Sequence, residues 1–153
     1  MIIIRAAEAK DAWEVERMAR ALADHEGLDI AEFKADNFLH DVINSHKIKM
    51  LIAETEGKTC GFVMYYPGYD LSTACTGMHM GDLYVDPDYR QLGIGKALVA
   101  ELAKITLEEG GKWISFTMLP ENAEARVFYD SLGAVDIPVT FKAFGQTALK
   151  QLL

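Results

Sequence analysis

The stretch Asp82-Leu83-Tyr84-Val85-Asp86-Pro87-Asp88-Tyr89-Arg90-Gln91-Leu92-Gly93-Ile94-Gly95-Lys96-Ala97-Leu98 decides how the chain is read. Its first residues end an apolar strand that begins at Met78, and Asp86-Pro87-Asp88 stops that strand, because proline has no N–H for a ladder and aspartate favours turns. After the turn the spacing predicts a helix to about Glu109, with Leu98, Leu102 and Ile105 on one face. Between strand and helix lies Arg90-x-x-Gly93-x-Gly95-Lys96. Two glycines let the backbone turn sharply and point several N–H groups into one concavity. The positive end of the following helix, with Arg90 and Lys96, completes a site for an anion, and a pyrophosphate fits it. Taken alone, these residues also suit an ordinary strand–helix turn. The third glycine and downstream carboxylate of a dinucleotide fingerprint are absent, and so is the Gly-Lys-Ser/Thr of a nucleotide triphosphate loop. The indicated ligand is therefore phosphate-bearing but neither NAD nor ATP.

Downstream, Gly110-Gly111 ends the helix, and Trp113 to Met118 reads as a strand. Asn122-x-x-Ala125-x-x-Phe128-Tyr129-x-x-Leu132-Gly133-Ala134 reads as a helix with Ala125, Phe128, Tyr129 and Leu132 in one stripe, capped by Gly133. Phe128 and Leu132 suit a core, Asn122 suits a helix cap, and the Tyr129 hydroxyl needs a partner if buried. Val135 to Phe144 is expected as a strand and Thr147 to Leu153 as a last helical turn or two. Upstream, Ile2 to Arg5 is a short strand. Asp11 to His25 is a helix with Val15, Met18 and Leu22 on its stripe, Trp13 off it, and Gly27 as its stop. Ile30 to Ile43 is expected as a second helix with Phe33, Phe38, Leu39 and Val42 on its apolar side, and with His40 and His46 solvated. Lys47 to Glu54 and Cys60 to Tyr66 form a hairpin across Glu56-Gly57-Lys58, and Pro67-Gly68-Tyr69-Asp70 leaves it as a loop. The order β-α-α-β-β-β-α-β-α-β(-β)-α gives an α/β class: a mixed sheet with helices on both faces.

The chain has 153 residues, the size of one domain, read as a single unit over 1–153. Half of its residues are hydrophobic and a quarter charged, which is globular composition. A net charge of −8 disfavours nucleic acid and suits a cationic partner, although acidity also serves solubility. Cys60 and Cys75 are too few for a disulfide scaffold and too far apart for a metal knuckle, so reduced thiols, no metal and a cytoplasmic setting are expected. The start is no signal peptide, and no apolar stretch is long enough to span a bilayer.

The segment Asp82 to Leu98 resembles the acetyl-CoA-binding motif of the GCN5-related N-acetyltransferases (GNAT), and Asn122 to Ala134 resembles the second motif of that superfamily. With Gly61-Phe62-Val63-Met64-Tyr65-Tyr66 and Tyr69-Asp70, the chain is similar to the diamine (spermidine/spermine, thialysine) acetyltransferase branch. The resemblance implies the acyl-CoA N-acyltransferase fold, in which the strand before the glycine loop and the strand after its helix splay apart and admit the pantetheine arm. It implies backbone contacts from Leu83 and Val85 to that arm, and the pyrophosphate on Gln91, Leu92, Gly93, Ile94, Gly95 and Lys96. Tyr84, Arg90, Asn122, Ala125 and Phe128 would also neighbour acetyl-CoA. Tyr129 would protonate the leaving thiolate, and no metal takes part.

The branch carries a glutamate before its aspartate in this strand, whereas here the pair reads Gly81-Asp82. The base is therefore open between Asp82 and His79. Strict alternation would put His79 on Gly81's face and Asp82 on the other, unless a bulge intervenes. The resemblance places a small cationic acceptor — polyamine, diamine or amino acid side chain — near His25, Glu26, Asp70 and Asp82. The aromatic residue the branch carries just beyond Asp70 is absent, since Leu71-Ser72 follows. A CoA-binding sensor lacking a base and a protein N-terminal acetyltransferase are the alternatives. The superfamily commonly forms dimers, with C-terminal strands as a frequent contact, so a homodimer is expected; Val135 to Phe144 suits either that contact or a strand within the chain.

Overall fold

The computed structural model describes residues 1–27 and 34–153. Its elements are β1 (Ile2–Ala6), α1 (Ala12–Glu26), α2 (Ala35–Phe38), β2 (Lys49–Thr55), β3 (Lys58–Asp70), β4 (Cys75–Val85), α3 (Ile94–Glu108), β5 (Ile114–Ser115), α4 (Ala123–Ser131) and α5 (Gln146–Gln151). A turn of 3-10 helix precedes α1, and a π-helical turn, Leu39–Asn44, follows α2. The chain divides into two compact units, Met1–Thr117 and Met118–Leu153. Among the described residues no helix is long and apolar enough to cross a membrane.

In the first unit five strands lie in the order β1-β2-β3-β4-β5, antiparallel throughout except for the parallel pair β4–β5. Strand alternation sorts its side chains onto two faces. Met50, Ile52, Phe62 and Tyr84 share a face with Val15 and Met18 of α1 and with Phe38 of α2, and Leu22, Leu39 and Val42 pack around them. The intervening residues Leu51, Ala53, Val63 and Tyr65 are buried too, on the opposite face. There α3, whose Ile94, Leu98, Leu102 and Thr106 are buried at fourfold spacing, packs against β1 to β4. Helices on both faces explain why Cys60 to Tyr66 is an almost unbroken apolar run. Gly27 ends α1 at φ 69° and donates to Ala23 and Asp24 carbonyls. An ion cluster lies partly buried at the sheet edge: Arg5 reaches both oxygens of Asp11 and one of Glu54, each at 2.7 Å.

Four expectations change. Pro67 to Asp70 is not a loop, because β3 continues through it and pairs with Cys75–Met78 as a long ribbon. The strand expected over Trp113 to Met118 shrinks to Ile114–Ser115, held only at Met78 and His79. Val135 to Phe144 forms no strand, although Val135, Ile137, Val139 and Phe141 alternate as a strand would. A strand needs a neighbour for its N–H and C=O groups, and these four side chains stand exposed. Among the described residues the second helix starts at Ala35, after an extended Lys34, and the part of the expectation that covers 30–33 lies outside the described residues.

The second unit contains α4 and α5. Asn122 Oδ1 accepts from the Ala125 N–H at 3.0 Å and caps α4, and Gly133 closes it at φ 87°. Phe128 and Tyr129 meet edge to face at 5.0 Å. An ion pair from Arg126 to Asp136 ties the helix to the chain that follows.

Candidate active site

A single extra residue in β4 organises the site. Asp82 pairs with Met64, but Met80 pairs with Tyr65, so Gly81 is bulged out of the ladder. The bulge overturns strict alternation. His79 lies opposite Tyr66 and Asp82 opposite Met64, which puts both on the α1 face. Gly81 points the same way: a Cβ there would lie 2.6 Å from the Met64 methyl and 3.8 Å from Tyr66 Cε1. The Met64 thioether therefore fills the room that a larger side chain at 81 would take.

The bulge also shifts the phase of the backbone. The Met78 N–H donates to the Trp113 carbonyl at 3.0 Å and the Lys112 N–H donates to Thr76 at 2.8 Å, so this part of β4 turns its even residues toward β5. Beyond the bulge the Asp86 N–H donates to the Cys60 carbonyl at 2.9 Å. Asp82, Tyr84 and Asp86 thus face β3, and Leu83 and Val85 turn their amide groups to the outer edge. Beyond His79 that edge has no strand partner among the described residues, because β5 is paired only at Met78 and His79. Such an edge is a template for an extended, amide-bearing chain.

At the end of β4 the chain takes left-handed steps at Gln91 (φ 61°) and Gly93 (φ 82°) and enters α3. No side chain caps this helix. The helical ladder opens with the Ala97 N–H donating to the Gly93 carbonyl at 3.0 Å, leaving the N–H groups of Ile94, Gly95 and Lys96 ahead of it. There is no acidic residue in this first turn. The helix dipole and the amides make an anion seat of it. Arg90 Nε donates to the Val85 carbonyl at 3.2 Å, tying the loop to the free edge.

An amide-lined edge running into an anion seat matches an acyl carrier built from a pantetheine arm and a pyrophosphate. The model of the acetyltransferase (GNAT) family matches residues 10–134. The chain belongs to this family. It is an acetyltransferase, and the family's acyl donor is acetyl-CoA. It is 30% identical over 89% of its length to the thialysine N-epsilon-acetyltransferase of Sus scrofa, of which it covers 85%. It is 31% identical over 88% of its length to that of Mus musculus, covering 84%. Among solved structures, an integron cassette protein from the mobile metagenome of V. cholerae superposes with a TM-score of 0.83 at 26% identity, with 99% of this chain and 96% of that one covered.

Set in the GNAT fold, the residues marked in the sequence divide by environment. Burial pushes the Asp82 carboxyl above its ordinary value, and among the described residues no hydrogen bond to it offsets the loss of water. His79 is held otherwise. Its Nδ1 meets Ser115 Oγ at 2.6 Å, and its Nε2 edge leans over Gly68, away from the bulge. Tyr84 buries its side chain, which stacks on Phe62 at 6.0 Å, and its backbone faces β3. Ile94 likewise buries its side chain, so only its N–H can serve an anion. Asp70 uses both carboxylate oxygens in its own turn, accepting from the Ser72 N–H, Ser72 Oγ and Thr73 Oγ1, which hold it below its ordinary value. His25 and Glu26 occupy the last turn of α1, and His25 is exposed. Asn122 and Tyr129 lie on α4 of the second unit, with Ala125 engaged by the Asn122 cap. Ser115 escaped sequence reasoning; its signal was its place two residues past Trp113, which alternation would have set on the same face.

Proposed function

We propose that this acetyltransferase moves the acetyl group of acetyl-CoA to a primary amine of a small cationic acceptor, by direct attack of the nitrogen on the thioester. The bulge at Gly81 supports the reading best. One residue of slack turns the Leu83 and Val85 amides outward and brings Asp82 to the α1 face. In this reading the pantetheine arm adds to the outer edge of β4, and the loop from Gln91 to Lys96 holds the pyrophosphate. Asn122 neighbours the cofactor from the start of α4. All of 1–153 acts as one catalytic domain, as the family match across the boundary between the two units supports.

Asp82 serves as the base. An alkylammonium has a pKa near ~10.4, so at pH 7 only about one molecule in a few thousand is neutral and nucleophilic. The carboxylate accepts a proton from the bound ammonium. The nitrogen then attacks the carbonyl carbon, and the C–S bond breaks. Tyr129 gives its proton to the departing thiolate, the nitrogen releases its second proton to solvent as the amide forms, and solvent re-protonates the tyrosinate; the mismatch is small, with a thiol at ~8.5 and a phenol at ~10. Burial favours Asp82 for its role, because a raised carboxyl pKa lies nearer that of the ammonium.

The acceptor carries its amine at the end of a short flexible chain, as in a lysine-like side chain or a diamine. The names of the thialysine acetyltransferases to which the chain is similar support this, as does an acidic protein that gathers cations. Glu26 is the carboxylate best suited to help bind it, Asp70 being engaged in its turn. The enzyme pairs as a homodimer through residues 135–144, whose apolar side chains are exposed. The test is release of free thiol from acetyl-CoA in the presence of thialysine, lysine, ornithine, diamines and aminoglycosides. Amine-dependent release is expected with at least one of the lysine-like or diamine acceptors. Release with none of these amines would reject the reading.

A further inference from the structure

On the α1 face, the bulge is followed toward the start of β4 by a row of rings rather than by aliphatic core. Tyr66 lies beside Gly81, its ring 5.3 Å from that of His79. His79 is in turn 5.0 Å from Trp113 at 60°. Two glycines leave bare backbone beneath the row. A Cβ at Gly77 would stand 2.2 Å from the Trp113 indole, and one at Gly68 would stand 2.6 Å from His79 and 2.7 Å from Trp113. Ser115 fixes the middle ring through Nδ1. Trp113 is held there although its Nε1–H is buried without a hydrogen bond, a cost that a plain packing role would avoid. Nor is the row closed over as a core is: Tyr66 is 41% exposed, and His79 and Trp113 are half-buried.

We infer that Tyr66, His79 and Trp113 form the wall along which the acceptor lies, and that they select acceptors with a second cationic group beyond the reacting amine. The inference rests on the acetyltransferase reading with reaction beside Asp82. From there the chain of the acceptor crosses Tyr66, and its far ammonium rests on the faces of the outer rings, where a cation is attracted by the aromatic quadrupole. The two ring-to-ring steps set the reach, so a diamine long enough to cross them is preferred over a monoamine.

The experiment compares propylamine with linear diamines of increasing length, using wild type, Tyr66→Leu, Trp113→Leu and the aromatic replacements Tyr66→Phe and Trp113→Phe. The expected result is that either leucine variant raises the KM for the longer diamines at least about tenfold more than that for propylamine, as loss of a partly desolvated cation–π contact would. The phenylalanine variants should recover most of it, while the KM for acetyl-CoA reports an intact fold. Equal change for diamine and monoamine, or diamine KM values at the wild-type level in Tyr66→Leu, would overturn the inference. Tyr66 is the more exposed ring and decides alone if Trp113→Leu does not fold. Failure of the underlying reading looks different, since wild type would then release no thiol with any amine.

Discussion

Replacing Asp82 by asparagine removes the proposed base without changing the shape of the side chain, and its effect on the pH profile can be worked out beforehand. If Asp82 takes the proton from bound ammonium, wild-type kcat/KM climbs through the raised carboxyl pKa and then levels off. The variant must wait for neutral amine from solution, so its kcat/KM rises about tenfold per pH unit up to ~10.4. At pH 8 the gap between the two should be about 250-fold, shrinking about tenfold at pH 9 and nearly closing at pH 10. The assay is thiol release at subsaturating amine across that range. A second readout has the opposite sign. Burial raises the folded-state pKa of Asp82 above its unfolded value, so its contribution to stability is full in acid and is lost as pH rises through the folded pKa. At pH 8 the ionised group is a cost, and Asp82→Asn should melt higher than wild type while turning over more slowly. Parallel profiles with a constant gap, or a lower melting temperature at pH 8, would refute the reasoning.

Tyr129→Phe should lower kcat by about two orders of magnitude or more, leaving the KM for acetyl-CoA within about threefold, because a proton donor acts in the transition state; steady-state kinetics check this. Gly93→Ala meets no neighbour within 4 Å, so its cost is conformational, about 1–2 kcal/mol for a Cβ at φ 82°. Calorimetry should show CoA binding weakened about tenfold as the amides turn away. Asp11→Asn should destabilise the fold by about 1.5 kcal/mol in denaturant melts, because it removes the charge that holds two N–H groups of Arg5 and leaves the guanidinium to Glu54. Burial pushes Asp11 up, but Arg5 and the Glu8 N–H outweigh it and hold the carboxyl below its ordinary value, so its stabilisation exists above the unfolded pKa and is lost as pH falls through the folded one. Acid should therefore weaken wild type more than Asp11→Asn. Light scattering should give twice the 17.0 kDa chain mass, and Val139→Asp with Phe141→Ser should return the monomer.

Sequence carried far where periodicity is strong and local. The stripe Val15, Met18, Leu22 and the buried face of α3 follow from helical spacing, and the glycine loop follows from its own residues. It failed where a neighbour decides. Pro67 and Gly68 read as a loop, yet the ribbon to Cys75–Met78 extends through them, because a proline and a glycine facing Gly77 and Met78 leave pairing open at a sheet end. The alternation of Val135, Ile137, Val139 and Phe141 was plain, but alternation names a face and not a partner. The candidate site was legible in its residues and not in its geometry. No periodicity marks Gly81 as an inserted residue, and without the bulge His79 and Asp82 fall on opposite sides of the sheet.

The slipped register of β4 makes position 81 a spare place on the strand. A Cβ there would press on the flexible tip of Met64 and reach Tyr66 only at 3.8 Å, so exchange at this position costs little more than a new methionine rotamer. Removing Gly81 altogether would close β4 into a regular ladder with Asp82 and Tyr84 still on the α1 face, whereas straightening the strand with Gly81 kept would carry them to the α3 face and turn the outward amides inward. The working geometry therefore lives in the slack and not in the side chain that fills it.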